Sequence, residues 1–187
     1  FFFSSRRRHT RLRAQLTTLL DDMKVDAVKI GMLANAELIE VVAEIIEDYQ
    51  LSNIVLDTPI ISSSGHPLLA EDAIETLKQR LLSLATVITP NLPEVNYLLG
   101  KKIDKGYQGA ADEMPTIGEA FFKLGVQAVV VKGGHAQSQD QVTDTLLQAN
   151  AEAIRFSSPR IVTQHTHGTG CSFSSAIACL LAKGDSL

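Results

Sequence analysis

Cysteine is scarce in this sequence: the 187 residues contain two, Cys171 and Cys179. They lie eight residues apart on one predicted helix, about 12 Å at the usual helical rise, which is too far for a disulfide bond between them. No spacing of cysteine and histidine resembles a zinc site, so both residues are expected to be reduced thiols of a cytoplasmic protein.

Long apolar runs are also missing. No stretch approaches the roughly 20 residues that a transmembrane helix needs, which argues against an integral membrane protein. The formal charge of −4 is unevenly distributed, because the first 14 residues contain five arginines and no acidic residue. The remaining residues contain 12 basic and 21 acidic side chains, and so acidic a body disfavours nucleic-acid binding.

Residues 1–14 differ in composition from the segment that follows them. They lack an initiator methionine, and their apolar residues precede the basic ones, which is the reverse of a secretory signal. We expect them to be a non-native leader outside the fold, and the core to comprise residues 15–187. A basic arm that binds RNA or a membrane is the alternative, and salt would weaken its binding steeply.

The rest of the sequence alternates predicted strands with predicted helices. One domain with one core is expected at this length and with 45% hydrophobic residues. Strands are predicted at 25–31, 53–57, 85–89 and 127–131, helices at 16–23, 38–49, 68–82, 91–99 and 116–124, and a β-hairpin at 143–148 and 152–156. The alternation predicts right-handed βαβ units and an open, mostly parallel α/β sheet with helices on both faces.

Candidate ligand-binding residues come directly after predicted strands. Asp57, Asn91 and Lys132 each follow one strand, and a turn at residues 168–171 follows another extended stretch. Open α/β sheets bind ligands beyond the carboxyl ends of their strands. These residues are therefore expected to share one edge of the sheet.

The turn at residues 168–171 is the strongest single signal. Gly168 and Gly170 bracket Thr169, so the backbone can turn sharply and approach a bound group closely. A glycine turn at a helix start aims unpaired N–H groups and the positive end of the helix dipole at one point, which favours an anion such as phosphate. An ordinary helix start is the alternative, and Cys171 weighs against it because helix N-termini activate thiols.

Four stretches carry a resemblance to a known family. His167–Cys171 closely resembles the anion-hole motif of the bacterial hydroxymethylpyrimidine/phosphomethylpyrimidine kinases of thiamine biosynthesis, in the ribokinase-like superfamily. Val25–Leu33, Val87–Glu94 and Val129–His135 resemble the same family in the same order. The resemblance covers roughly residues 15 to 187 and implies a ribokinase-like fold in which about two N-terminal strands are missing.

The resemblance implies a kinase that uses ATP and Mg²⁺. Its substrates would be 4-amino-5-hydroxymethyl-2-methylpyrimidine and then the monophosphate of that compound. The family also implies a homodimer at full length, with no nucleic-acid or membrane partner. Two alternatives stay open: a pyridoxal or pyridoxine kinase on the same scaffold, and a catalytically incomplete fragment that only binds nucleotide.

The resemblance assigns the chemistry to the turn. Cys171 is expected to face the substrate hydroxyl, either as the group that accepts its proton or as a positioning group. Gly168, Thr169 and Gly170 are expected to cradle the transferred phosphoryl group with Cys171. A buried structural cysteine at a helix start is the alternative for Cys171.

The resemblance also assigns the nucleotide and substrate contacts. Lys132, Asp57 and Thr166 are the expected nucleotide and phosphate ligands, and Met32 is expected to line the pyrimidine pocket. The residue pattern alone allows other interpretations: a solvated lysine at a strand end, an aspartate that forms a turn, and a methionine in the core.

Asn91 and Glu94 resemble the element that orients Mg²⁺ in the superfamily, often through water. Amide, carboxylate and water oxygens suit this hard cation. The alternative is a capping box at the start of a helix, since an acid follows Asn91 at the third position and Pro93 lies in the first turn.

Overall fold

The computed structural model describes residues 4–60, 68–101, 106–135, 140–163 and 168–187. Six strands form one sheet in the order of the sequence. They are β1 (Val28–Ile30), β2 (Ile54–Leu56), β3 (Val87–Ile88), β4 (Ala128–Val131), β5 (Gln141–Gln148) and β6 (Ile154–Pro159). Neighbouring strands from β1 to β4 are parallel, and the pairs β4–β5 and β5–β6 are antiparallel. The mostly parallel α/β sheet and the terminal hairpin predicted from the sequence are confirmed.

Helices cover both faces of this sheet, as predicted. They are α1 (Ser4–Asp22), α2 (Ala36–Asp48), α3 (Glu71–Thr76), α4 (Leu92–Leu98), α5 (Met114–Lys123) and α6 (Thr169–Ala182). One face, with Leu56 and Ile88, packs in the main core with residues of α2 to α5. The opposite face, with Val55 and Val130, packs against α6. All four residues of β4 are buried, as expected for a parallel strand covered on both sides.

The ends of two helices follow from local chemistry. Asn35 caps α2, and its side-chain oxygen accepts a hydrogen bond from the backbone N–H of Leu38 at 3.0 Å. The helix predicted at 68–82 begins later, at Glu71, and its second half is irregular. A π-helical turn at Leu77–Leu81 and a 3₁₀ turn at Leu82–Leu84 carry it to β3.

Helix α1 begins well before Leu16, where apolar periodicity starts. Arg13 forms ion pairs with Glu44 and Asp48 of α2, and His9 lies 3.4 Å from Glu37. His9 and Arg13 therefore lie against an acidic face of α2. That residues 1–14 are a non-native leader stays a prediction.

The sequence predicted that the two cysteines form no disulfide bond and that no helix spans a membrane. Cys171 and Cys179 are both free and exposed, so the pair forms no disulfide. In the described part of the chain, no helix is both long and apolar enough to cross a membrane.

Candidate active site

The carboxyl ends of β2, β3 and β4 bring three polar residues to one edge of the sheet, as predicted. Asp57 follows β2, and its backbone N–H donates to Ile30 of β1 at 2.9 Å. Asn91 follows β3 and forms an isolated parallel bridge with Lys132, which follows β4. Residues 75 positions apart in the chain, Asp57 and Lys132, thus become neighbours.

Asp57 is the buried centre of a charged cluster. Its Oδ1 accepts hydrogen bonds from the Lys132 ammonium at 3.2 Å and from the Thr89 hydroxyl at 3.3 Å. Its Oδ2 lies 3.8 Å from the Nζ of Lys29. The aspartate is 4% exposed, so its charge depends on these partners rather than on water. A turn-forming role for Asp57 is wrong.

Lys132 is not a solvated lysine at a strand end. Its side chain is 18% exposed, and its ammonium is held between Asp57 and the start of α6. A Cβ atom added at Gly170 would lie 3.4 Å from the Nζ of Lys132. The structure therefore places a cation directly beside the glycine turn, where the sequence predicts an anion site.

The two glycines of the turn have different functions. Gly168 is the N-cap residue of α6 and has φ +82°, a left-handed conformation that favours glycine. Gly170 lies in the first turn of the helix, where an added Cβ would be in ordinary van der Waals contact with the Lys132 ammonium. The first helical hydrogen bond into α6 runs from Ser172 N to Gly168 O, so the N–H groups before Ser172 precede the helical ladder.

Cys171 lies in this first turn and is exposed. The alternative of a buried structural cysteine is therefore wrong. Ser174, one turn further on, is fully buried, and its hydroxyl donates to the carbonyl oxygens of Gly170 and Cys171. This contact fixes the backbone that presents the thiol. Thr166, predicted to bind nucleotide, lies outside the described residues.

Asn91 and Glu94 form a complete capping box at the start of α4. Asn91 Oδ1 accepts from Glu94 N at 2.9 Å, and Glu94 Oε2 accepts from Asn91 N at 2.8 Å. Burial raises the pKa of the Glu94 carboxyl to about 7, while Lys132 and the N–H of Asn91 lower it and the Asp57 carboxylate raises it. The capping interpretation is confirmed, and the carboxyl of Glu94 faces the charged cluster.

These contacts bear on the predicted Mg²⁺ ligands. Mg²⁺ prefers oxygen ligands and commonly uses one or two carboxylates, with substrate phosphates and water in the other positions. Asp57 and Glu94 are such carboxylates, although the helix cap uses one oxygen of Glu94 as well as the side-chain oxygen of Asn91. Among the described residues, no three acidic, histidine or cysteine side chains cluster as a metal site. The donor set fits a hydrated Mg²⁺ held through water.

An open cavity of about 380 Å³ lies beside Lys132, between the end of β4 and the start of α6. Its walls include Asn91, Lys132, Gly134, Asp144, Gly170 and Phe173. Gly133 faces the backbone of β5 rather than the cavity, since an added Cβ would lie 2.0 Å from Thr143 O. Its N–H donates to Asp144 Oδ1 at 2.8 Å, so that donor is already used. A Cβ added at Gly134 would have no atom within 4 Å, so this glycine leaves the cavity accessible.

Met32 lies just beyond β1, and its side chain is 55% exposed. A core methionine is therefore the wrong interpretation, and an apolar side chain is available at the sheet edge.

Sequence reasoning missed two other residues of this site, Lys29 and Asp144. A lysine inside the otherwise apolar stretch Val28–Ile30 was a usable signal for the first. No sequence signal marked Asp144.

Comparisons with known proteins agree with this geometry. The family model described as phosphomethylpyrimidine kinase matches residues 6–187, so the match starts inside the segment predicted to be a leader. The hydroxymethylpyrimidine/phosphomethylpyrimidine kinase of Escherichia coli K12 is 44% identical over 167 residues, which is 89% of this chain. The chain spans about 60% of the length of that relative.

Solved structures show the same relationship. The ADP complex of Bacillus subtilis pyridoxal kinase superposes with a TM-score of 0.83 and 37% identity, over 95% of this chain and 64% of the other. Phosphomethylpyrimidine kinase from Clostridium difficile 630 gives a TM-score of 0.79 and 33% identity, over 96% of this chain and 70% of the other. The chain therefore has the predicted ribokinase-like fold and belongs to the phosphomethylpyrimidine kinase family.

Proposed function

We propose that the protein transfers the γ-phosphoryl group of ATP to the hydroxyl of 4-amino-5-hydroxymethyl-2-methylpyrimidine, and then a second one to the resulting monophosphate. The observation that carries this proposal is the position of Lys132, whose ammonium lies between buried Asp57 and Gly170 at the start of α6. Phosphoryl transfer needs cations and N–H donors positioned around the transferred group more than it needs covalent help. Lys132 and the first turn of α6 supply both.

The cavity beside Lys132 is our candidate for the phosphates of ATP. Lys132 would hold a phosphate oxygen, and the turn formed by Gly168, Thr169 and Gly170 would stabilise charge on the transferred group. Asp57 and Glu94 would hold Mg²⁺ through water, and the ion would neutralise phosphate charge when bound. Thr166 stays a predicted nucleotide ligand.

Cys171 is our candidate for the group that faces the acceptor. As the acceptor oxygen forms its bond to the γ-phosphorus, the bond from that phosphorus to the bridging oxygen of ATP breaks and ADP leaves. The acceptor hydroxyl releases its proton, and the Cys171 thiolate accepts it and becomes the thiol. Met32, exposed at the end of β1, is the proposed apolar contact for the pyrimidine ring.

Pyridoxal phosphorylation is the second candidate. The superposition on Bacillus subtilis pyridoxal kinase, at a TM-score of 0.83, favours it. Lys132 and the first turn of α6 are proposed to act on the phosphoryl group, and either substrate could use them. A homodimer and a cytoplasmic location stay predictions of the family resemblance.

A coupled assay of ADP release tests the proposal. The hydroxymethylpyrimidine, its monophosphate and pyridoxal are supplied in turn with ATP and Mg²⁺, to this chain and to a version extended to the length of its relatives. Turnover of the pyrimidine in preference to pyridoxal is expected. Turnover of pyridoxal alone would contradict the choice of substrate, and calorimetric binding of ATP without any turnover would favour the nucleotide-binding fragment.

A further inference from the structure

Lys29 is a charged side chain on a buried strand. It pairs in register with Val55 of β2, whose side chain belongs to the core under α6. Paired residues on neighbouring strands share a face of the sheet, so Lys29 lies on the α6 face. Its side chain is 20% exposed. A lysine so placed needs an anionic partner, because burial of an unpaired charge is costly.

Asp57 satisfies only part of that need. Its Oδ1 accepts the hydrogen bonds from Lys132 and Thr89. The 3.8 Å between its Oδ2 and the Nζ of Lys29 is longer than a hydrogen bond. Lys132 also faces the carboxyl of Glu94, whereas Asp57 is the one acidic group that pairs with Lys29 among the described residues. Within the part of the chain that the structure describes, the Lys29 ammonium donates no hydrogen bond, so its N–H donors are available to a second anion.

The sheet order places the two lysines on opposite sides of Asp57. Lys132 follows β4 and borders the cavity that we assign to the nucleotide. Lys29 belongs to β1, and a Cβ added at Gly31 would lie 3.0 Å from its Nζ. The ammonium therefore lies beside the Gly31 backbone, and exposed Met32 is the next residue in the chain. This is the side that we assign to the acceptor.

We propose that Lys29 binds the phosphate of a phosphate-monoester acceptor and so sets the preference of the site for the second phosphorylation over the first. The inference rests on the proposed function. A phosphate monoester carries about −1.5 to −2 charges at pH 7 and repels the phosphates of ATP. A cation on the acceptor side offsets that repulsion, whereas an alcohol acceptor has no such need.

The bond changes of this second step need no proton from Lys29. An oxygen of the acceptor phosphate forms the new bond to the γ-phosphorus, and the bond to the bridging oxygen of ATP breaks. ADP leaves with that electron pair. Lys29 contributes charge and N–H donors, both of which an arginine also supplies and a methionine of similar length does not.

Calorimetry on three variants tests the proposal: K29M, K29R and the control K24M. Lys24 is a suitable control because its side chain is 88% exposed. Each protein is titrated with the hydroxymethylpyrimidine and, separately, with its monophosphate. K29M is expected to weaken binding of the monophosphate about 10-fold to 100-fold more than binding of the alcohol, the usual range for a hydrogen bond to a charged group. K29R should recover most of that loss, and K24M should match the unsubstituted protein.

Steady-state kinetics with both acceptors add a second measurement. K29M should raise the KM for the monophosphate more than it changes kcat. Equal losses for both acceptors would mean that Lys29 acts only through Asp57, and would overturn the proposal. So would monophosphate binding that is unchanged in K29M, or absent from the unsubstituted protein. Lys29-dependent binding without phosphoryl transfer would instead reject the proposed function and leave the binding site in place.

Discussion

At the scale of single residues, the charge balance around Asp57 decides what a substitution does. Lys132 is the charged partner that donates a hydrogen bond to this buried carboxylate, at 3.2 Å. Removal of the lysine leaves Asp57 with the more distant Lys29 and with Thr89. Loss of a phosphate contact and loss of stability should therefore occur together.

Lys132→Ala is expected to weaken ATP binding about 10-fold to 100-fold and to lower the free energy of unfolding by about 1–3 kcal/mol. Calorimetry with ATP and Mg²⁺ measures the first effect, and urea unfolding measures the second. Lys24→Ala is the matched surface control. An unchanged ATP affinity would count against a phosphate role for Lys132.

Glu94 makes stability depend on pH. Burial raises the pKa of its carboxyl from 4.5 to about 7, so the folded protein binds this proton more tightly than the unfolded chain does. The resulting stabilisation is fully present below about pH 4.5 and is lost as the pH rises through about 7. Glu94→Gln removes this dependence and can keep the capping box, because glutamine also accepts at that position.

Urea unfolding from pH 5 to pH 8 tests this effect. The free energy of unfolding of the unsubstituted protein should fall, relative to that of the Gln variant, by about 3 kcal/mol at most. Parallel stability curves for the two proteins across this range would contradict a raised pKa of the Glu94 carboxyl in the folded protein.

The residue scale also shows what the sequence can and cannot predict. The capping box of Asn91 with Glu94 involves neighbours in the chain, and its pattern is visible in the sequence. The burial of Lys132 depends on Asp57, which lies 75 residues away in the chain, and no local pattern records that pairing. The presence of Lys29 in the site and the exposure of Met32 depend in the same way on which strands become neighbours.

At the scale of elements, the start of α6 depends on two glycines for different reasons. Gly168 has φ +82° and open space around it, so a side chain there meets no steric obstacle but an unfavourable backbone conformation. Gly170 lies within the helix, and an added Cβ would make an ordinary contact with the Lys132 ammonium at 3.4 Å. The same substitution at the two positions should therefore differ in its effect on folding.

Gly168→Ala should lower the free energy of unfolding by about 1–2 kcal/mol, because a left-handed conformation costs that much for a residue with a Cβ. Gly170→Ala should not destabilise the fold, because alanine is favoured over glycine in helices by up to about 1 kcal/mol. Urea unfolding of both variants measures the difference. Equal losses at the two positions would contradict the conformations described for this turn.

Element boundaries were predicted less well than element types. Apolar periodicity identifies α2 and α5 because each has one buried stripe, and strand β4 because it is a continuous apolar run. Helix α1 starts at Ser4 rather than near Leu16, since part of its contact with α2 is ionic and leaves no apolar pattern. The π-helical turn at Leu77–Leu81 has the same apolar spacing as an α-helix, so the sequence could not distinguish them.

At the scale of the whole molecule, the strand order produces the site. Strands β1 to β4 are parallel neighbours in sequence order, so the residues that follow them lie in a row along one edge. Helix α6 packs on one face of this sheet and brings its first turn to the same edge. Cys171, in this first turn, therefore lies near the edge where Lys132 and Asp57 meet.

The kcat of Cys171→Ala, measured in the protein extended to the length of its relatives, tests this account most directly. If the Cys171 thiolate accepts the proton of the acceptor hydroxyl, kcat of the alanine variant should fall about 10²-fold to 10⁴-fold, the usual contribution of a positioned acid or base. ATP affinity should change little, because backbone N–H groups form the proposed cradle. Cys171→Asp should regain part of the rate, since a carboxylate can accept the proton. Cys179→Ala, at the other exposed cysteine of α6, is the control. An alanine variant at position 171 with the kcat of the unsubstituted protein would contradict the catalytic role of Cys171.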